Sequence, residues 1–295
     1  MNKQRHVDAV TGVETTGHVW DGDLQELNKP LPRWWLYTFY VCILWAIGYQ
    51  IAYPAWPMIN SYTKGTLGYS QRTTVDAAIL ESKMEQSKYL RAIGSVPLAE
   101  ILKQLDLLNF SRAGGAALFA SHCSGCHGRG AQGFAGYPNL NDDDWLWGGS
   151  VDEIFTTISN GIRSGHPLAR DSAMPRFGID KILKPEEIGD LAEYVVSLSI
   201  HEADAGAASR GQKLFAEQCA ACHGETGKGT QSLGAPNLTD AIWLYGGDRK
   251  TIKESVATGR GGIMPSWENR LDPATLKMLA VYVYSLGGGT EPRKQ

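Results

Sequence analysis

Cys123-Ser-Gly-Cys126-His127 and Cys219-Ala-Ala-Cys222-His223 hold four of the five cysteines in a chain of 295 residues. Two thiols separated by two residues and followed at once by histidine form the spacing of a c-type haem attachment site. The thiols add to the two vinyl groups of one porphyrin, and the imidazole reaches its iron as proximal ligand. Other uses of a Cys pair fit less well. A thioredoxin-like redox pair belongs in a βαβ context, which the sequence lacks. A zinc site needs four ligands, and neither region offers a second Cys pair. A disulfide framework would show more cysteines at scattered spacings. The implied cofactors are therefore two covalently bound haem c groups. Cys123, Cys126, Cys219 and Cys222 make the thioether bonds, and His127 and His223 bind the irons.

The surroundings of the two motifs also repeat. Leu118-Phe119 and Leu214-Phe215 precede the cysteines, and Pro138-Asn139-Leu140-Asn141-Asp142 matches Pro236-Asn237-Leu238-Thr239-Asp240. Trp145-Leu146-Trp147-Gly148-Gly149 matches Trp243-Leu244-Tyr245-Gly246-Gly247, and Met174-Pro175 matches Met264-Pro265. Leu191, Tyr194 and Leu198 match Leu279, Tyr282 and Leu286. Six landmarks in one order mark an internal duplication.

The repeat also nominates the sixth iron ligands. Met174 and Met264 are the methionines shared by both copies, each followed by proline. A lone methionine is usually core filling, but paired equivalents after each histidine fit thioether ligation, which raises haem potential. His166 competes with Met174 in the first copy. No histidine follows His223, so bis-histidine ligation within the second copy is excluded, and symmetry favours Met174; His166 then reads as a surface loop residue, and His122, beside Cys123, as exposed. Iron with both axial positions filled cannot bind oxygen without losing a ligand, which points to electron transfer. No paired carboxylates, Ser-His-Asp pattern or phosphate loop suggests catalysis elsewhere. Asp142-Asp143-Asp144, with Asp152 and Glu153 nearby, reads either as a solvated loop or as a steering patch for a basic soluble cytochrome c.

These motifs need elements to hold them. Gly114–Ser121 and Arg210–Glu217 are expected as helices leading into the cysteines, and 185–199 and 273–286 as closing helices with proline near the first turn. Gly- and Pro-rich loops fill the space between, with little regular structure. Upstream, Thr74–Ala92 reads as a polar helix, and Ile101, Leu102, Leu105 and Leu108 stand at helical spacing. From Trp34 to Thr63 there is no Asp, Glu, Lys or Arg, and some twenty apolar residues suffice to cross about 30 Å of hydrocarbon as a helix. Pro54 and Pro57 end that run, and Trp34, Trp35, Tyr37, Tyr53 and Trp56 resemble interfacial belts. Cys42 lies inside it as a small apolar residue. Lys3, Arg5, Lys29 and Arg33 precede the run, against Lys64 and Arg72 after it, which favours an N-terminus inside. A formal net charge of −3 implies no pull on nucleic acid.

The expected architecture is mainly α: a cytoplasmic arm at 1–33, a transmembrane helix at 34–56, a connector at 57–110, and two tandem class I cytochrome c domains at 111–200 and 209–290. The Ala/Gly-rich stretch His201–Ser209 links the last two.

One segment is more specific than the haem motifs. The run from His18-Val-Trp20-Asp21-Gly22 through Glu26-Leu27-Asn28-Lys-Pro30-Leu31-Pro32-Arg33-Trp34-Trp35, then Phe39-Tyr40 and Tyr53-Pro54-Ala-Trp56-Pro57, resembles the N-terminal segment of the dihaem subunit of cbb3-type cytochrome c oxidase, called CcoP or FixP. The resemblance extends over the whole chain, with Asp23 standing where the family has a branched residue. It implies a subunit that accepts electrons from a donor cytochrome c and passes them through two haems to the monohaem cytochrome c subunit. From there they reach the catalytic haem–copper subunit, which reduces oxygen and pumps protons. It further implies a bacterial inner membrane location with the haem domains periplasmic, and no oxygen site in this chain. The main alternative is a stand-alone membrane-anchored dihaem carrier; others are a dehydrogenase cytochrome subunit and a haem-based sensor or peroxidase with an open iron position.

Overall fold

The charge-free run becomes helix α1, Arg33–Ala52, and it stops where the sequence says it should. Proline forces the residue before it out of the helical region, and Tyr53, which precedes Pro54, is extended at φ −114° and ψ 162°. In this computed structural model, which describes residues 6–199, 202–287 and 289, none of α1's side chains is buried. It is the one helix among the described residues long and apolar enough to cross a membrane. Lys3 and Arg5 of the charge balance, and His201 of the linker, lie outside the described residues.

The chain divides into two units, residues 1–83 and 84–295. In the first, the arm is not the featureless polar segment its composition suggests. It forms an antiparallel meander of β1 (His6–Val7), β2 (Glu14–Trp20) and β3 (Leu24–Leu27). Asp21 and Gly22 turn β2 into β3 with φ of +51° and +93°, the left-handed pair that a type I′ hairpin turn requires and that Asp-Gly supplies. Helix α2, Gln71–Ser95, contains the boundary between the units.

The second unit is helical. It contains α3 (Leu98–Lys103), α4 (Leu105–His122), the single turns α5 (Ser124–His127) and α9 (Ala220–His223), α6 (Val151–Asn160), α7 (Pro185–Leu198), α8 (Ala205–Gln218), α10 (Arg249–Thr258) and α11 (Pro273–Tyr284). Two helices expected as loop are α6 and α10. Ser150 caps α6 in a capping box with Glu153, and Asp248 caps α10. Both signals stand in the sequence, followed by apolar residues at helical spacing.

Two apolar cores form, and they do not follow the sequence repeats. The first combines Ile93 and Ile101, Phe119 of α4, Val151, Ile154 and Ile158 of α6, and Leu276, Leu279, Val281 and Val283 of α11. The second combines Ile188, Leu191, Val195 and Val196 of α7, Phe215 of α8, and Ile252 and Val256 of α10. The closing helix of the second repeat thus packs on the leading helix of the first, and the reverse. Reading 111–200 and 209–290 as self-contained domains is corrected on this point. Periodicity defines a helix's apolar face but not which of two similar faces it meets.

Each crossing is made close by a glycine. A Cβ on Gly115 would lie 2.4 Å from the Met278 carbonyl oxygen and 2.5 Å from Tyr282 Cβ; one on Gly211 would lie 2.1 Å from the Asp190 oxygen and 2.9 Å from Tyr194 Cβ. Phe119 then meets Tyr282 at 5.5 Å between ring centroids, and Phe215 meets Tyr194 at 5.1 Å.

Helix α11 also closes the end of α2. Lys277 Nζ donates to the carbonyls of Ile93 (3.1 Å), Gly94 (3.0 Å) and Val96 (2.6 Å), the terminal acceptors a helix leaves unsatisfied. Lys277→Met keeps the stem and removes the donors. It should cost about 1–3 kcal/mol, the penalty for unpaired, partly buried acceptors, and thermal denaturation should show a lower midpoint.

Candidate functional site

Both Cys-x-x-Cys-His segments are built alike. Helix α4 ends at Cys123, whose carbonyl accepts from the N–H groups of Cys126 (3.1 Å) and His127 (2.9 Å). Helix α8 ends at Cys219, whose carbonyl accepts from Cys222 and His223 at the same two distances. The added turn brings thiol, thiol and imidazole round to one side. Gly128 and Gly224 then reverse the chain at φ +81° and +76°.

The imidazoles are fixed by residues that repeat in the sequence but carried no assigned role. His127 Nδ1 lies 3.1 Å from the Pro138 carbonyl, and His223 Nδ1 lies 3.0 Å from the Pro236 carbonyl. A carbonyl can only accept, so Nδ1 carries the proton in each ring and Nε2 keeps its lone pair. Burial pushes the pKa of both histidines down, more than the hydrogen bond to proline pushes it up. Each is therefore a neutral, oriented imidazole, the form that binds a metal. Asn139 and Asn237 hold the proline carbonyls in place, accepting from the N–H of Asn141 and of Thr239, each at 3.0 Å. The repeated Pro-Asn was the available signal.

Burial also pushes the thiols of Cys123 and Cys219 up to about 11, with a smaller contribution from the neighbouring cysteine of each pair. Met264 packs against the first core, as do Cys123, Leu140 and Trp145, and Met174 packs against the second, as do Cys219, Leu238 and Trp243. Each core therefore has against it one cysteine of its motif, Cys123 or Cys219, and one thioether, while Cys126 is exposed and Cys222 half-buried; the neutral histidine of each motif follows the second cysteine directly. That donor set fits covalently attached haem with histidine and methionine as axial ligands.

His166 is otherwise engaged. Its Nε2 lies 2.9 Å from Glu268 Oε2, its Nδ1 accepts from the Leu168 N–H at 3.1 Å, and its side chain is only 14% exposed. It remains a loop residue near the surface, held there by the exposed Glu268 carboxylate. His122 is exposed, its ring 5.3 Å from that of Trp267. Among the described residues no group of three or more His, Cys, Asp or Glu could hold a separate metal ion.

The acidic run of the first repeat has an unforeseen member. Asp142 and Asp144 stand close enough to Asp240 of the second repeat to feel its charge, whereas Glu153 is used in the α6 capping box. Burial first, and Asp240 and Asp142 second, push Asp144 up to about 6 from 3.8. A carboxylate raised in the folded state favours folding while protonated, and that contribution is lost as pH rises from about 4 through about 6. Asp144→Asn should therefore raise the melting temperature at pH 7 by about 2–4 °C, equivalent to ~1 kcal/mol after allowance for solvent screening. Near pH 4 the difference should vanish.

The N-terminal domain of cytochrome oxidase-cbb3, FixP, matches residues 12–60, and cytochrome c oxidase, cbb3-type, subunit III, matches residues 111–195 and 206–283. A cbb3-type cytochrome c oxidase subunit FixP from Bradyrhizobium sp. (strain ORS 278) is 52% identical over 98% of this chain and 100% of its own length. The CcoP subunit of Azospirillum sp. (strain B510) is 51% identical over 97% of this chain and 99% of its own. That of Cereibacter sphaeroides is 50% identical over 93% and 95%. The likeness runs through arm, membrane helix and both haem motifs, and the chain belongs to the FixP/CcoP family, subunit III of the cbb3-type cytochrome c oxidases.

Proposed function

We propose that this chain is the dihaem electron relay of a cbb3-type oxidase, anchored by α1 with its N-terminus in the cytoplasm and its helical unit in the periplasm. Electrons arrive from a donor cytochrome c. They leave towards the monohaem cytochrome c subunit and the catalytic haem–copper subunit, where oxygen is reduced. Haem supplies a one-electron ferric–ferrous couple when bound. The residues of this chain that would hold it are Cys123 and Cys126, and Cys219 and Cys222, through thioether bonds, His127 and His223 through Nε2, and Met174 and Met264 through their sulfurs. The observation that carries this reading is the paired arrangement of a proline-oriented neutral imidazole and a methionine in each core. Thioether ligation would favour the ferrous state relative to a second imidazole, and a histidine and a methionine bound together would leave no position for oxygen.

Mass measurement of the mature protein should show two porphyrin adducts. Replacing Met174 or Met264 by His should in each case lower one of two midpoint potentials in a redox titration. The reduced wild-type protein should be spectrally silent to carbon monoxide. Fewer than two adducts, unmoved potentials or carbon monoxide binding would each count against the relay.

A further inference from the structure

We infer that Arg163 is a positioning residue for both iron sites: its one guanidinium ties together the two loops that carry Met174 and Met264. This rests on the His/Met reading above and adds a group to which neither the haem motifs nor the repeat points.

The side chain reaches the same place in each loop. Its Nε donates to the Gly262 carbonyl at 2.7 Å, and its Nη1 donates to the Ser172 carbonyl. Gly262 stands two residues before Met264, and Ser172 stands two residues before Met174. The loops run side by side there. A Cβ on Gly261 would lie 3.5 Å from Ala173 Cβ and 3.8 Å from Arg163 Cδ. A guanidinium holds its donors in one rigid fork, so a shift of either loop disturbs the bond to the other.

The backbone of Arg163 is held against its own preference. It lies at φ +50°, a left-handed conformation that is costly for a residue with a long side chain and persists only where the surroundings impose it. The main chain is pinned on both sides. Arg163 N–H donates to the Arg170 carbonyl at 2.7 Å, and Ile162 exchanges bonds of 2.9 and 3.0 Å with Met264. The charge is half-buried and, among the described residues, forms no ion pair, although Asp171 stands near enough to feel it. Nor is the residue duplicated. Gly161 and Gly259 end α6 and α10 alike, which puts Gly261 at the equivalent position in the second copy. One arginine therefore serves both loops. Its bonds fix the backbone from which each thioether extends, and its charge would favour the less positive, ferrous state of iron near either loop.

The test is a redox titration of the full chain with both haems. Arg163→Gln should lower both midpoint potentials together. The ferrous-to-ferric ratio at a fixed solution potential should fall roughly three- to tenfold at each haem, or about 30–60 mV for a one-electron couple. The sulfur-to-iron charge-transfer absorption of the ferric form should weaken as well. Arg163→Lys keeps the charge without the fork. Its potentials should lie between those of wild type and Arg163→Gln, and the absorption should still weaken. Arg176→Gln is the comparison. It removes an exposed cation two residues after Met174, paired with Asp180 at 2.9 Å, and should leave at least one potential where it was. A shift at one haem only, or at neither, in Arg163→Gln would overturn the shared clamp. Equal shifts at both haems in Arg176→Gln would overturn it too, because net charge alone would then suffice. If Arg163→Gln does not fold, Arg163→Lys decides: wild-type potentials with undiminished absorption would sink the proposal. Absence of that absorption from the wild-type ferric chain would instead remove the His/Met reading itself.

Discussion

A chain ended after Asp204 should fail to fold its first haem unit, although every residue of the first repeat is present. The reason is the composition of the first core. Helix α11 contributes Leu276, Met278, Leu279, Val281 and Val283, all buried, and Phe119 and Ile154 are covered partly by them. At about 1.5–3 kcal/mol for each large apolar side chain buried, the missing helix removes on the order of 10 kcal/mol. That matches the whole stability of an ordinary domain, about 5–15 kcal/mol. Far-ultraviolet circular dichroism and limited proteolysis of a fragment spanning 84–204 should show an unfolded or readily digested chain. Co-expressing residues 205–295 should restore protection of both fragments. A stable, protease-resistant first repeat on its own would contradict the packing of α4 on α11.

Alanine at Gly211 should be the most damaging single methyl addition in the helical unit. Within a helix, Gly→Ala normally stabilises by about 1 kcal/mol. Here the new Cβ would sit 2.1 Å from the Asp190 carbonyl oxygen, which is backbone and cannot rotate away. Forced repacking of a tight contact costs about 1–3 kcal/mol, and a contact this short on backbone belongs at or beyond the upper end. A net loss of about 2 kcal/mol or more, or roughly 4–8 °C in melting temperature, is expected. Gly115→Ala should behave alike, with its Cβ 2.4 Å from the Met278 oxygen. Gly125→Ala is the control: nothing lies within 4 Å of its Cβ, and the second motif already has Ala221 there. Calorimetry of the three variants should separate the first two from the third. Equal melting temperatures would show that α7 and α8 can part without cost.

Much of this site could be read from residue types and order. The haem motifs depend on local spacing, which sequence displays directly. The closing helices start at proline as expected, and α7 and α11 end within two residues of the expected bounds. The partner of each helix was harder to read. Leu191 and Tyr194 offer α8 the same shapes that Leu279 and Tyr282 offer α4, so the repeated residues are silent on pairing, and a duplicated sequence suggests the simpler topology. Discrimination lies in what differs, Arg210 and Asp190 against Gly114 and Met278. The roles of Pro138 and Pro236 were hidden because a backbone carbonyl acts there, and any residue supplies one. The short helices α6 and α10 were obscured by the glycines around them, despite their caps. The Asp21-Gly22 turn was used as a family signature when it was also a hairpin signal.

The threading of the two cores also has a consequence for biogenesis. The leading helix of the first motif cannot find its cover until α11, Pro273–Tyr284, has been synthesised, long after both motifs. The first cysteine pair therefore stays uncovered until α11 arrives, whereas the second core, made by α7, α8 and α10, can close before it. Closure of the first core becomes the late event: the second half covers the first, and a chain stalled between the motifs yields no half-assembled carrier.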